Sequence, residues 1–190
     1  GRLPPDNRDT AVMAEVIRRI DGLNDLMKDL LLFARPPQPK LAPVDIMSLF
    51  EMTARLLKED VAFKDLRVEI SGSVPPVMAD VSLLGVVFDN LLLNSAQAMR
   101  GKGTIGAAFS SGENSCEVVI ADSGPGIAPD VQEKMFTPFF TTKSKGTGLG
   151  LPTTKRFVQA HGGTIVVECP AEGGTTITVR LPIGPTLELR

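Results

Sequence analysis

The sequence predicts an α+β protein: a two-layer α/β sandwich preceded by one long heptad-patterned helix. Two observations lead to this class. Apolar residues recur every three or four positions near the start of the chain, as on one side of a helix. After residue 40, apolar helical stretches are followed by short strand-like stretches that come in consecutive pairs. Paired strands with helices between them predict helices on one face of a largely antiparallel sheet.

The first helix begins near Thr10 and carries an apolar stripe of alternating three- and four-residue spacings over three heptads. The stripe consists of Met13, Val16, Ile20, Leu23, Met27, Leu30 and Ala34. The proline-rich linker "RPPQPKLAP", from Arg35, ends the helix, because proline removes amide donors and restricts the residue before it. We therefore divide the chain into residues 1–40 and 41–190. A single helix cannot bury this stripe alone, so an intermolecular or inter-segment bundle is favoured over docking on the neighbouring domain.

The elements of residues 41–190 follow from the period of the apolar residues. Helices are predicted over 44–64, 81–99 and 150–160, and strands or extended segments over 66–70, 75–80, 103–110, 116–122, 164–169 and 175–182. Residues 123–149 show no sustained period.

Composition excludes several classes of function. A net charge of −2 gives no reason to expect a nucleic-acid partner. The two cysteines and the single histidine lack the spacing of a metal site. No apolar run reaches the roughly 20 residues that span a bilayer, so we expect no membrane contact by this chain and a cytoplasmic location. Because the chain opens without Met, we expect it to be part of a longer protein, whose membrane attachment stays open.

The apolar helix over 81–99 carries two asparagines four residues apart, Asn90 and Asn94. This spacing places both amides on one face of the helix. Asparagine is a mediocre helix former, so two of them in so apolar a helix need partners. An amide oxygen suits a hard cation such as Mg²⁺, which completes its shell with phosphates and water. The alternative is a polar helix edge.

The stretch "ADSGPGI" places Asp122 at the end of a strand, followed by Gly124 and Gly126. A carboxylate there can accept hydrogen bonds from a ligand such as the exocyclic amine of adenine, and the glycines permit close approach to the backbone. A simple strand-ending turn would use the same residue types. The motif is therefore informative only together with the others.

The stretch "KSKGTGLGLP" places three alternating glycines directly before a helix. Successive backbone amides at a helix start form an anion-binding nest. Lys143 and Lys145 add positive charge just before it. By contrast, "GKGTIG" over residues 101–106 follows a helix and enters a strand, which is the reverse of a dinucleotide-binding context, so it is interpreted as a turn.

Taken in order, "DNLLLNSAQAM", "DSGPGI", "FTPFFTTK" and "GTGLGL" resemble the N, first-glycine, F and second-glycine boxes of two-component sensor histidine kinases. The end of the chain resembles the family's closing hairpin, and "IDGLNDLMKDLLLFARP" resembles the second helix of its dimerisation and phosphoacceptor domain. The resemblance implies the Bergerat ATP-binding fold, shared with ninety-kilodalton heat-shock chaperones, type II topoisomerases and mismatch-repair ATPases.

The resemblance implies ATP and Mg²⁺ as cofactors and assigns residue roles. Asn94 coordinates Mg²⁺, Asn90 lies near the phosphates with a catalytic role, and Asp122 holds the adenine amine in a pocket shaped by Gly124 and Gly126. Residues 123–149 form a lid anchored by the aromatic side chains Phe136, Phe139 and Phe140. The implied nucleotide-binding set further includes Lys145, Gly146, Thr147, Gly148, Leu149, Gly150 and Thr175.

Two departures from the family pattern matter. Many members carry a lysine where this chain has Gln97, so the phosphate charge must come from elsewhere. Lys143, a candidate catalytic residue, and Lys145 are the candidates, and Arg100 is a weaker one. The phosphoacceptor histidine is also missing, because His161 matches the family's helix-ending turn. We therefore expect a protein-histidine kinase core that binds Mg-ATP but cannot autophosphorylate. Its parent would act as a homodimer through the helical bundle and pass the phosphoryl group to a response regulator receiver domain.

Two alternatives remain open. The first is an ATPase or chaperone of the same fold, but related ATPases place a glutamate where this chain has Asn90, and an amide cannot take a proton. The second is a non-catalytic ATP-binding and dimerisation module. Asn90 and the heptad-patterned helix favour the kinase over the ATPase, and the intact nucleotide-contacting motifs favour it over the module.

Overall fold

The computed structural model describes residues 8–143, 146–170 and 173–184. The elements occur in the predicted order. They are α1 (Arg8–Ala34), β1 (Ala42–Val44), α2 (Ile46–Glu59), a 3₁₀ turn (Val61–Phe63), β2 (Leu66–Gly72), β3 (Val77–Ala79), α3 (Val81–Ala98), β4 (Gly103–Ser111), β5 (Ser115–Asp122), α4 (Pro129–Gln132), α5 (Gly150–Ala160), β6 (Thr164–Glu168) and β7 (Thr175–Pro182).

Five strands form one sheet in the order β2-β4-β5-β7-β6. Both predicted hairpins, β4–β5 and β6–β7, pair antiparallel, and β5 pairs antiparallel with β7. Among the described strands, only β2 and β4 pair parallel, because helix α3 lies between them and supplies the crossover that parallel strands require. The sheet is thus largely antiparallel and the predicted α+β sandwich is confirmed.

One face of the sheet carries the core. In β4 the buried side chains alternate with more exposed ones, so that Ile105, Ala107 and Phe109 point to the helices. The rings of Phe50 and Phe88 join this layer in edge-to-face contacts, with Phe50 5.3 Å from Phe88 and 5.6 Å from Phe109 between ring centroids. The core therefore ties α2 and α3 to the centre of the sheet.

Helix α3 is the most apolar element. Among the described residues it is the one helix that is long and apolar enough to cross a membrane, by length and composition alone. The sequence had led us to expect no run of this kind. Leu84, Phe88 and Leu91 are fully buried between α2, α5 and the sheet. Its apolar composition is thus that of a core helix. The side chain of Asp80 caps its start by accepting from the amides of Ser82 and Leu83.

Two predicted boundaries need correction. The helix predicted over 44–64 ends at Glu59, because the Asp60 carboxylate accepts from the amide of Ala62 and starts a separate 3₁₀ turn. The predicted linker also contributes structure, since β1 pairs antiparallel with β3 in a small second sheet, with Val44 opposite Val77. Both features depend on local capping and distant pairing, which periodicity does not report.

Helix α1 leaves its apolar stripe exposed, with Val16, Ile20 and Leu23 about half accessible. Contact with the sandwich is made near its end, where Leu32 is partly buried against the core. Arg156 of α5 stacks 5.0 Å over the Phe33 ring and donates to the Phe33 carbonyl oxygen. The stripe is therefore available to another helix while the end of α1 touches the sandwich.

Candidate nucleotide-binding site

A cavity of about 830 Å³ opens between α3, the start of α5, and the loop segments that connect β5 to α5. Its walls come from all four motif regions, which are far apart in the sequence. The predicted site residues that line it are Asn90, Asn94, Asp122, Gly126, Lys143, Gly146, Thr147, Gly148, Gly150 and Thr175. The fold thus brings most of the predicted set to one place.

Two predicted site residues that the structure describes do not line the cavity. Gly124 lies behind Asp122 and donates its amide to the Asp122 carboxylate. Leu149 has a fully buried side chain and stands at the N-terminal cap of α5. Lys145 lies outside the described residues. The first two support the cavity from behind.

Asp122 is oriented by three protein donors. Its Oδ1 accepts from the amides of Gly124 at 2.9 Å and Thr175 at 3.3 Å, and its Oδ2 accepts from the Ser95 hydroxyl at 3.1 Å. A carboxylate has about four lone-pair sites, so it can still accept a hydrogen bond from a ligand. The β5–β7 pairing places Asp122 directly opposite Thr175. Strand register therefore fixes the direction in which this acceptor faces the cavity.

At the other end of the cavity, one lysine contacts two amide side chains of α3. The Lys143 ammonium donates to Asn94 Oδ1 at 2.5 Å and to Gln97 Oε1 at 2.6 Å. Desolvation lowers the pKa of Lys143 from its usual 10.5. These two oxygens already converge on a cation, and Mg²⁺ is a hard cation that takes oxygen ligands, with phosphates and water completing its shell. The residues present therefore fit the implied metal.

The glycines of the second-glycine box lie close to other parts of the chain, with no space for a Cβ. Gly148 has φ +69°, and a Cβ there would lie 2.5 Å from the Phe139 backbone. A Cβ on Gly150 would lie 2.9 Å from the Asn90 amide oxygen. The Asn90 side chain in turn donates to the Gly150 carbonyl at 3.3 Å. The glycines thus permit the tight approach of loop, α3 and α5 that shapes the cavity.

The start of α5 is open to an anion. Leu149 at the cap makes no side-chain hydrogen bond to the first turn. Amides at a helix start lack partners within the helix and carry a partial positive charge. The Thr147 hydroxyl accepts from the Leu149 amide at 3.3 Å and donates to the Asp29 carboxylate at 3.1 Å. This end of the cavity suits phosphate groups.

The predicted aromatic anchoring of residues 123–149 holds in part. The Phe136 ring is partly buried and lies 5.0 Å from the Lys155 ammonium, and Phe140 lines the cavity. Phe139 is wrong as an anchor, because its side chain is 63% exposed and its backbone adopts φ +66°. Met135, which is buried at 5% exposure, occupies a core position instead. A strained backbone turns the Phe139 ring outward.

Sequence reasoning missed several cavity residues. Asp29 reaches the cavity from α1, and nothing in its sequence context signals a contact with a residue 118 positions away. Ser95 falls on the apolar side of α3, yet its buried hydroxyl supports Asp122. A hydroxyl inside an apolar helix needs a partner, which was the available signal. Gln97, a departure from the family pattern, emerges as a ligand of Lys143.

His161 has a structural position. It is buried at 5% exposure, and its Nδ1 lies 2.7 Å from the Phe157 carbonyl oxygen. Because a carbonyl only accepts, Nδ1 carries the proton, and Nε2 accepts from the Asp80 amide at 2.9 Å. Both ring nitrogens are engaged, so this histidine joins the end of α5 to the start of α3.

Residues 79–185 match the family model described as "Histidine kinase-, DNA gyrase B-, and HSP90-like ATPase". The match covers more than half of the chain, and the chain belongs to this family. The chain therefore carries a Bergerat-type ATP-binding domain.

Within that family, the relatives are sensor histidine kinases. The chain is 36% identical over 177 residues to sensor histidine kinase ZraS of Escherichia coli K12, which covers 92% of this chain and 38% of ZraS. Full-length ShkA, solved in complex with AMPPNP, matches with a TM-score of 0.83 at 26% identity, over 97% of this chain and 40% of ShkA. Mycobacterial sensor histidine kinase MprB matches with a TM-score of 0.67 at 32% identity, over 75% of this chain and 97% of that one.

These similarities confirm the resemblance that the four motifs predicted: the chain carries the catalytic ATP-binding domain of a two-component sensor histidine kinase. The chain spans less than half of the length of ZraS. The activity of the whole protein is therefore a matter for proposal.

Proposed function

We propose that this chain positions Mg-ATP for transfer of the γ-phosphoryl group to a histidine that is absent from residues 1–190. The observation that carries the proposal is the convergence of Asp122, Asn94 and the start of α5, where the cap residue Leu149 makes no side-chain hydrogen bond, on one cavity. The first is an oriented acceptor, the second a cation ligand and the third an anion-binding helix end. Together they suit a purine nucleotide bound with its phosphates towards α5.

At the adenine end, Asp122 accepts the exocyclic amine through its remaining lone-pair capacity. Ser95 and the Thr175 amide hold the carboxylate in position. Gly126, with φ +78°, allows the backbone close to the base. The apolar lining by Ile127 and other side chains excludes water from the ring.

At the phosphate end, Asn94 holds Mg²⁺, which neutralises phosphate charge when bound. The α5 amides and the Lys143 ammonium orient the γ-phosphate and stabilise its charge. The imidazole nitrogen of the acceptor forms the new bond to phosphorus while the bond to ADP breaks and its electron pair leaves with ADP. Asn90, held by the Gly150 carbonyl, cannot accept a proton from water, which favours transfer to histidine over hydrolysis.

The proposal extends to partners. The apolar stripe of α1, exposed along Val16, Ile20 and Leu23, supports a homodimer through a helical bundle in the longer protein. The downstream partner is a response regulator receiver domain, as expected for a relative of two-component kinases such as ZraS. We also propose a cytoplasmic location, with no contact between this chain and nucleic acid or a membrane. The net charge of −2 supports the absence of a nucleic-acid partner.

Calorimetry and phosphate labelling test the proposal. The chain should bind Mg-ATP, whereas Asp122→Ala should lose at least about tenfold in affinity because the amine acceptor is gone. Asp65→Ala, at an exposed turn before β2, is the matched control and should bind normally. With γ-labelled ATP the chain should acquire no stable label, since both nitrogens of His161 are engaged.

Two results would redirect the assignment. Steady phosphate release without an acceptor would favour the ATPase alternative. Absence of ATP binding to the folded chain would favour a non-catalytic module.

A further inference from the structure

The contact between Lys143 and α3 links the loop before the glycine box to the metal-binding face of the helix. Asn94 and Gln97 are three residues apart on α3, so their side chains lie on one face. The Lys143 ammonium bridges their two oxygens at 2.5 and 2.6 Å. No carboxylate takes part in this contact among the described residues, so the lysine is held by neutral acceptors only.

The same Asn94 oxygen is the atom that the proposed function assigns to Mg²⁺. A divalent cation and an ammonium on one amide oxygen would repel each other strongly, because the charges would lie only a few ångströms apart. Lys143 and Mg²⁺ therefore exclude each other at Asn94. Gln97 Oε1 is a second acceptor that Lys143 can keep when Asn94 is taken.

We propose that the Lys143 ammonium occupies the cation position of Asn94 in the nucleotide-free chain, and that Gln97 is a positioning residue that keeps this ammonium beside the phosphates once Mg²⁺ binds Asn94. The nucleotide-free part rests on the contacts alone. The identity of the competing cation rests on the proposed function. Metal binding is thereby coupled to loss of the Lys143–Asn94 contact, while the Lys143–Gln97 contact to α3 is kept.

The number of hydrogen-bond donors on the Lys143 ammonium allows it to change partners in this way. An ammonium has three donors, of which two are used by Asn94 and Gln97. The third can turn to a phosphate oxygen without breaking the Gln97 contact. Hydrogen bonds from an ammonium to phosphate are stronger than those to neutral amides. Nucleotide binding therefore favours movement of the Lys143 ammonium from Asn94 to a phosphate oxygen. Lys143 thus serves as the cation of the phosphate end before the metal arrives.

Hydrogen exchange of the chain without nucleotide or metal tests the proposed contact of Lys143 with Asn94 and Gln97. The amides of Phe139, Phe140 and Lys143 are hydrogen-bonded within this loop region. In Gln97→Met, exchange over residues 139–143 should be about fivefold faster, as expected for loss of one net hydrogen bond, and in Lys143→Met, which loses both contacts, it should be faster still. Lys134→Met, an exposed lysine of the same β5–α5 connection, is the control and should leave exchange unchanged. Unchanged exchange in Lys143→Met would overturn the nucleotide-free contact.

Calorimetry with AMPPNP in Mg²⁺ and in EDTA tests whether Mg²⁺ replaces Lys143 at Asn94 and whether Gln97 then positions the lysine. Lys143→Met should lose at least about tenfold more affinity in EDTA, where Lys143 is the remaining cation at Asn94, than in Mg²⁺. Gln97→Met should show the opposite pattern, with about fivefold loss in Mg²⁺ and a smaller loss in EDTA, because Asn94 can still hold the lysine there. Lys134→Met should change neither affinity.

The two arms separate failure of this inference from failure of the proposed function. Equal losses of affinity in both buffers for Lys143→Met would make the lysine an ordinary phosphate ligand and would overturn its proposed replacement by Mg²⁺ at Asn94. Nucleotide binding by the wild-type chain would still support the proposed function. A wild-type chain that binds no AMPPNP in either buffer would overturn the proposed function, and with it the role assigned to Mg²⁺. The exchange measurement would then decide the Lys143 contact by itself.

Discussion

Gly148 shows how one residue without a side chain shapes the phosphate end of the cavity. It adopts φ +69° and lies against the backbone of Phe139, whose amide donates to the Gly148 carbonyl at 3.0 Å. This closeness requires φ +66° at Phe139, a conformation that aromatic residues rarely adopt. The loop and the start of α5 are therefore joined by backbone contacts that allow no Cβ.

Gly148→Ala should distort this contact. We expect a loss of about 1–3 kcal/mol in the free energy of unfolding, because the left-handed backbone disfavours alanine and its Cβ would overlap the Phe139 backbone. Urea denaturation measures this, and Mg-ATP affinity should fall at least about tenfold.

Gly85→Ala in α3 is the matched control. Outside the backbone of α3 itself, a Cβ at Gly85 would meet no atom of the described residues within 4 Å, and alanine favours a helix. This variant should be neutral or stabilising. Equal behaviour of the two variants would contradict the assigned role of Gly148.

The start of α3 is stabilised by a cluster of hydrogen bonds centred on Asp80. Its carboxylate accepts from the amides of Ser82, Leu83 and, at 2.8 Å, Lys40, while its own amide donates to His161. The Lys40 hydrogen bond is the largest cause that lowers the pKa of Asp80 below 3.8. One residue therefore joins the linker, α3 and the end of α5.

Asp80→Ala should reduce the free energy of unfolding by about 1–2 kcal/mol at neutral pH. Because the folded-state pKa is lowered, this stabilisation is present above the unfolded pKa of about 3.8 and is lost as the pH falls through the folded value. The difference between wild type and variant should therefore shrink on acidification, which urea denaturation at several pH values measures. Asp65→Ala should show neither effect, and a constant difference for Asp80→Ala would contradict the argument.

The end of α1 is held against α5 and the glycine loop by side chains from both sides. Arg156 donates to the Phe33 carbonyl oxygen and lies over the Phe33 ring, and Thr147 donates to Asp29. Since Thr147 and Asp29 both line the cavity, this contact places α1 next to the phosphate end.

Arg156→Ala should loosen the end of α1. We expect amide exchange over residues 27–34 to rise about tenfold, because a cation–π contact and a hydrogen bond are lost together. Lys155→Ala is the matched control, since the neighbouring Lys155 lies over Phe136 and not over α1. Similar exchange in both variants would show that Arg156 does not hold the helix.

For the molecule as a whole, the exposed stripe of α1 predicts self-association. Its side chains are about half accessible over three heptads, an area that a lone helix in water does not stabilise. Sedimentation should show a concentration-dependent dimer, and Ile20→Glu should weaken it at least about tenfold by placing a charge in the apolar contact.

Leu56→Glu serves as the control, because Leu56 is 55% exposed on α2, away from the stripe. It should leave the dimer intact. A monomer at all concentrations, or equal dissociation by both variants, would contradict association through α1.

Local patterns carried much of the prediction. The hairpins, the apolar helix and the helix after the glycines were found from periods of 2 and 3.6, because each reflects which side of an element is buried. The four motifs located the cavity, since most of the residues that they contain line it. The misses are the parallel pairing of β2 with β4, the contribution of β1, and the outward Phe139.

Composition and short motifs of this chain were enough to establish its class, its family resemblance and most of the predicted site residues that line its cavity. Such features are properties of neighbouring residues, which sequence order preserves. The contacts of Lys143 with Gln97, Thr147 with Asp29 and His161 with Asp80 were determined only by the folded chain. Each joins residues at least 46 positions apart, so it depends on the path of the backbone through space and on burial, which no local pattern records.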